Sequence, residues 1–179
     1  MSVVVYDIDP THSSAHFSVR HMMISNVKGE FSKVTGTVTY DPDNPGAAKV
    51  EATIDATSLH TRDEQRDGHL KSADFLDVAK FPEIKFVSKS VERDGKDEYV
   101  LKGDLTIHGV TREVALQVEG PTAEAKDPWG NLKTGATAET KISRKDFGLV
   151  WNMALETGGV LVGDEVKISV EVELTRRAA

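Results

Sequence analysis

The chain has 179 residues, 39% hydrophobic and 28% charged, with a formal net charge of −7 and no cysteine. That is enough chain for one domain with its own core. It excludes thiol chemistry, a spanning helix (no apolar run approaches roughly 20 residues), nucleic-acid binding driven by clustered Lys and Arg, and wholesale adsorption on anionic membranes.

The N-terminal "MSVVVYDIDP" has no basic residue before its short apolar run, so no export leader is expected and the cytoplasm is the expected location. "SAHFSVRHM" alternates, with Ala15, Phe17, Val19 and His21 on one face and His16, Ser18 and Arg20 on the other. "DPDNPG" is loop composition, and "KVEATIDA" then sets Val50, Ala52 and Ile54 against Glu51, Thr53 and Asp55. The stretch "RDGHLKSADFLDVAKFPEIKF" (66–86) breaks the alternation. It reads as a short polar helix opened by a Thr61/Glu64 capping box, gathering Leu70, Phe75, Leu76 and Phe81 before Pro82. Arg62, Asp63, Arg66 and Asp67 are set for a salt-bridge network there, and Arg62 or Arg66 could instead meet a phosphate.

Further on, Asp94-Gly95 is a two-residue hairpin signal, and "HGVT" around Gly109 marks a second hairpin. Between them "YVLKGDLTIHG" places Leu101, Gly103, Leu105 and Ile107 on one face. "REVALQVEG" does the same with Val114, Leu116 and Val118. "KDPWGN" is a loop, and "EVKISVEVEL" puts Val166, Ile168, Val170, Val172 and Leu174 on one side. With no repeat or linker, residues 1–179 form one domain.

Short connections between one-sided strands imply antiparallel pairing into a sandwich or a barrel, and alternation does not choose between them. The small inward residues Gly36, Ala52, Gly103, Ala136 and Ala138 have two readings. Either they leave volume for an apolar ligand, or larger residues opposite interdigitate with them.

Catalytic and metal motifs are weak. His12 and His16, four residues apart at a strand entry, would stand about 13 Å apart, too far to share an ion. "DPDNPGAAKVEA" puts Ala52 where a calcium loop needs a bidentate Glu. Asp9, His12 and Ser13 are the residue types of a hydrolase triad, but at a strand entry they suit turn and capping duty. No cofactor and no metal is expected. His21, on an apolar face before Met22 and Met23, is either a polar group at a pocket end or a core histidine satisfied by backbone.

Five stretches in order, "DPTHSSAHFSVRHMMISNVKGEF", "SLHTRDEQRDGHLKSADFLDVAKFPEIKF", "GDLTIHGVTREV", "SRKDFG" and "LVGDEVKISVEVEL", closely resemble the YceI-like family over nearly the whole chain. The resemblance implies an all-β fold: an eight-stranded antiparallel lipocalin-like barrel with one or two short helices and an apolar tunnel. It also implies a non-enzymatic role, binding, carrying or storing a polyisoprenoid, an isoprenoid quinone or a fatty-acyl derivative. Many members are periplasmic.

With that fold, Phe17, Val19, Ile54, Phe86, Leu101, Leu105, Leu116 and Val118 are expected to bury the tail, and Leu105→Trp to block uptake. Leu70, Phe75 and Phe81 are expected to face inward from the helical segment. Phe31, Phe147 and Trp151 are candidates for the mouth or wall, and His21 and Met22 for ligand contact. "SRKDFGLVWNM" is expected to cross one barrel end. A homodimer is a candidate assembly. The rivals are an enzyme on a small apolar substrate using His21, and a solid barrel that binds a partner on its surface.

Overall fold

A computed structural model describes residues 3–178. Its strands are β1 (Val4–Ile8), β2 (Ser14–His21), β3 (Ser25–Phe31), β4 (Val34–Tyr40), β5 (Lys49–Asp55), β6 (Leu59–His60), β7 (Glu83–Gly95), β8 (Glu98–Ile107), β9 (Val110–Glu119), β10 (Ala125–Lys126), β11 (Leu132–Ser143) and β12 (Val162–Arg176). The one α-helix, α1, spans Glu64–Lys71. Among the described residues no helix is long and apolar enough to cross a membrane.

Every neighbouring pair is antiparallel. β1 and β2 are two halves of one long strand, since both lie along β12, at Ile8↔Leu174 and Ala15↔Val170. β3 and β4 continue each other in the same way, pairing with β2 and β1 in turn. β11 closes the ring against β12 from Lys133↔Thr175 to Ser143↔Glu165. With broken strands counted once, the sheet is an eight-stranded barrel, the architecture expected. Eight strands leave an interior just wide enough to be filled by side chains or to hold one small ligand.

The alternating runs face as read. On β8, Tyr99, Leu101, Leu105 and Ile107 are buried while Lys102 is exposed. Two small inward residues are occupied rather than empty. A Cβ on Gly103 would lie 2.5 Å from the Phe86 ring, so the ring fills that place. Gly36, at φ +150°, brings its backbone against β5, and a Cβ there would lie 2.1 Å from Glu51 O.

Three local expectations are corrected. The first hairpin turns on Lys96-Asp97, because Gly95 is taken by a register shift in β7 and still pairs with Glu98. The second turns on His108 and Gly109 as read, with φ of 55° and 73°. Helix α1 is capped by Asp63, whose carboxylate accepts from Gln65 N–H and Arg66 N–H. Thr61 is not the cap. Its N–H and hydroxyl donate to Asp67, and Arg66 donates to Thr61 Oγ1 at 2.9 Å and Thr61 O at 2.7 Å. Hydrogen bonds through Thr61 therefore replace the expected salt-bridge network.

Candidate functional site

The inward faces of the strands do not meet. They enclose a cavity of about 660 Å³, inside the roughly 300–1,000 Å³ range of small-ligand pockets. Aliphatic side chains from the strand midpoints line it, and Ala136 and Ala138 of β11 border open space. Ala138 lies level with Val118 on one side and Val170 on the other.

One end is a tyrosine floor. Tyr6, Tyr40 and Tyr99 line it beside Pro45 and Pro121. Tyr6 hydroxyl donates to Glu124 Oε1 at 2.6 Å. Burial, then that bond, raises the Tyr6 pKa to about 12. Burial and a hydrogen bond with Tyr99 likewise raise Tyr40.

The other end is reached by water, since the exposed residues Arg20, Asp63 and Gln65 join the lining there. The helical segment walls this end. Leu70, Phe75 and Leu76 face the cavity. His69, Phe75 and Trp151 form an aromatic trio with ring centroids 5.0, 4.7 and 5.3 Å apart, tying α1 to the loop 148–161.

Arg144 organises that loop, and the sequence offered no signal for it beyond its place in "SRKDFG". It is 3% exposed. It donates to Gly163 O (2.8 Å), Leu149 O (2.6 Å), Trp151 O (2.9 Å) and Val162 O (3.3 Å). Burial lowers its pKa, and Asp164 at 3.8 Å opposes that shift. A guanidinium presents five donors in a fixed fork, and here they hold the loop to the start of β12.

Of the candidate residues, Phe17, Val19, His21, Phe31, Ile54, Leu70, Phe75, Phe86, Leu101, Leu105, Leu116, Val118 and Trp151 line the cavity. Met22 and Phe147 do not. Met22 is in the β2–β3 turn, 41% exposed, because the strand ends at His21 and alternation stops with it. Phe147 is 1% exposed and packs within the core cluster. Phe81, expected inward, meets the His108 ring edge-on, with ring centroids 4.9 Å apart, outside the lining. His21 is half-buried in the lining, with no side-chain hydrogen bond among the described residues, so it is not a core histidine satisfied by backbone.

Catalytic and metal readings gain little. Among the described residues the only carboxylate in the lining is Asp63, already committed to capping α1. His12 does meet acids: its Nδ1 is 3.0 Å from Asp9 and 3.8 Å from Glu173. The Lys133 ammonium, 2.6 Å from Asp9 and 3.1 Å from Glu173, already supplies the cation. Its hydrogen bond holds the Asp9 carboxyl well below the usual range. Ser13 hydroxyl donates to Glu173 O, a strand-entry contact.

Comparisons with known proteins agree with this architecture. The Campylobacter jejuni YCEI protein, known from a crystal structure, superimposes with a TM-score of 0.72 and is 30% identical, covering 89% of this chain and 90% of that one. A polyisoprenoid binding domain from Saccharophagus degradans, 13% identical, shares the fold at a TM-score of 0.69 over 96% of this chain and 98% of its own. Protein YceI of Escherichia coli O157:H7 is 41% identical over 165 residues, which are 92% of this chain and 83% of that protein. The YceI-like domain model matches residues 6–174, so the chain belongs to the YceI-like family.

Proposed function

We propose that the chain binds one long-chain amphiphile, a polyisoprenoid, isoprenoid quinone or fatty-acyl derivative, and carries or stores it without chemical change. The observation that carries this is the cavity: about 660 Å³, lined mostly by aliphatic and aromatic side chains, with tyrosines at one end and a water-reached opening at the other. Each methylene moved from water into such a space contributes about 0.8 kcal/mol. Ten of them contribute about 8 kcal/mol before the costs of association, so few polar contacts are needed. The Saccharophagus degradans domain of the same fold is a polyisoprenoid binding domain, which supports the isoprenoid class.

The test is organic extraction of the purified protein, with mass spectrometry of the extract and a native mass of the intact complex. A stoichiometric isoprenoid, quinone or acyl amphiphile is the expected result. A clean apo mass, with no uptake of added isoprenoid or fatty-acyl ligand, would overturn the proposal. The same native mass reads the assembly, monomer or homodimer.

A further inference from the structure

Two loops meet at the water-reached end and leave large apolar side chains in solvent. At the tip of the β2–β3 hairpin Met22, Met23 and Ile24 are 41%, 56% and 73% exposed. Val150, Met153 and Val160 are exposed in the loop between β11 and β12. The loops touch: Met22 N–H donates to Leu161 O at 2.8 Å, and the Met23 side chain lies over Gly159. Among the described residues, only Val3, Val87 and Trp129 are large hydrophobics exposed elsewhere. A contiguous apolar patch beside a cavity opening marks an interaction surface, whereas scattered exposed residues mark nothing.

The backbone of the tip argues the same way. Met22 and Met23 have φ of 53° and 61°, and Ile24 N–H closes the turn on His21 O at 3.0 Å. Both central positions are left-handed, where Gly, Asn and Asp fit and a larger side chain costs stability. Methionine gains neither turn stability nor burial there, so the hairpin's own stability does not account for it. A flexible, polarizable side chain suits a soft and variable partner.

Charge on the adjacent wall indicates the partner. Arg20, Lys28, Lys141 and Lys167 are all exposed on β2, β3, β11 and β12. The register runs Lys141↔Lys167, Lys167↔Ser18, Ser18↔Lys28, so the lysines form a band across the sheet. None of these three lysines has an ion pair among the described residues. Like charges directly opposite each other destabilise a ladder, and an external anionic surface relieves them. Glu30, Glu139 and Glu171 of this wall lie farther from the tip, level with His16, Ser169 and Ser14. Asp63 at the opening, Glu156 in the loop and Glu165 on β12 are exposed acids that hold no ion pair among the described residues. A net charge of −7 still disfavours indiscriminate adsorption, so contact is confined to this end.

We propose that the tip at 22–24 and the loop at 150–160 dock the open end of the barrel on an anionic lipid bilayer, so that a bilayer-resident amphiphile enters the cavity without crossing water. Apolar side chains entering the headgroup boundary, with basic residues at the surface, are the elements such docking needs. This rests on the cavity reading above.

The test is flotation of the full chain with vesicles of phosphatidylcholine containing about one-quarter phosphatidylglycerol. The unmodified protein is expected to float with the vesicles. The double variant Met22→Asn with Met23→Gly suits the turn and is expected to keep or raise the thermal midpoint while weakening vesicle binding about tenfold or more. Lys141→Glu with Lys167→Glu is expected to weaken binding as well, as is added salt. Uptake of a detergent-dispersed fluorescent fatty-acyl probe is expected to be unchanged in the tip variant, whose replaced side chains do not line the cavity. A wrong cavity reading therefore fails in the probe assay, and wrong docking fails in flotation. The proposal is overturned if the unmodified protein does not float, if the tip variant floats equally well, or if the patch proves to be the interface of a dimer that the tip variant dissociates.

Discussion

Replacing Ala138 with phenylalanine separates a filled barrel from a carrier. Ala138 projects from the middle of β11 into open space, level with Val118 and Val170. A phenyl ring there takes the room of about six chain carbons, and at about 0.8 kcal/mol per methylene the cargo loses about 5 kcal/mol. That is between three and four powers of ten in Kd. Because the ring enters a void, stability is expected to stay within about 1 kcal/mol, in contrast to the roughly 1–3 kcal/mol of an overpacked core. Leu105→Trp is a less clean probe, because Leu105 is packed directly opposite Phe86 and added bulk there disturbs both. Titration with a fluorescent fatty-acyl probe gives the affinity, and urea unfolding gives the stability. A folded Ala138→Phe protein that binds with unchanged affinity would refute burial of the tail in the barrel.

Arg144→Met removes the donors that tie two loop carbonyls to two at the start of β12 and is expected to cost about 3–5 kcal/mol in urea unfolding, with faster hydrogen exchange over 148–161. Lys133→Met removes the ammonium that lowers the Asp9 pKa. A lowered carboxylate pKa stabilises the fold above the unfolded value, so the gap between unmodified and variant proteins is expected to be full above about pH 4 and to close as pH falls below it; a gap independent of pH would exclude the Asp9 linkage. Gly36→Ala combines positive φ with a Cβ that would lie 2.1 Å from Glu51 O. The usual stabilising Gly→Ala effect of about 0.4–1 kcal/mol is expected to reverse to a loss of about 2 kcal/mol or more, read from the urea midpoint.

Alternation located the cavity wall well because a strand has one side-chain period and a barrel has one inside. The inward sets of β2, β5, β8, β9 and β12 needed nothing more. The misses fall where that period ends. Met22 follows the last residue of β2 and so inherits no face from it. Asp94-Gly95 has the composition of a turn, but Gly95 fits a register shift equally well, and the cross-strand partner decides. Thr61 and Asp63 are both credible helix caps two residues apart, and the demand of Asp67 for the Thr61 hydroxyl settles which one serves. Composition alone also left open whether small inward residues mean space. Gly103 is covered by Phe86 and Gly36 brings its backbone onto β5, while Ala52, Ala136 and Ala138 line the cavity. Arg144 was missed because one arginine in a polar run carries no periodic signal, and its role depends on carbonyls brought to it by the turn at Arg144–Phe147.

β12 pairs with β11 along one edge and with both β2 and β1 along the other. Until this strand leaves the ribosome, β2 and β11 have no neighbour there and the sheet remains an open, curled sheet. Pairings separated by some 150 positions in the chain form late and slowly. The enclosed space therefore comes into being only after synthesis of the strand is finished, and until then the greasy inner face has no closed barrel around it.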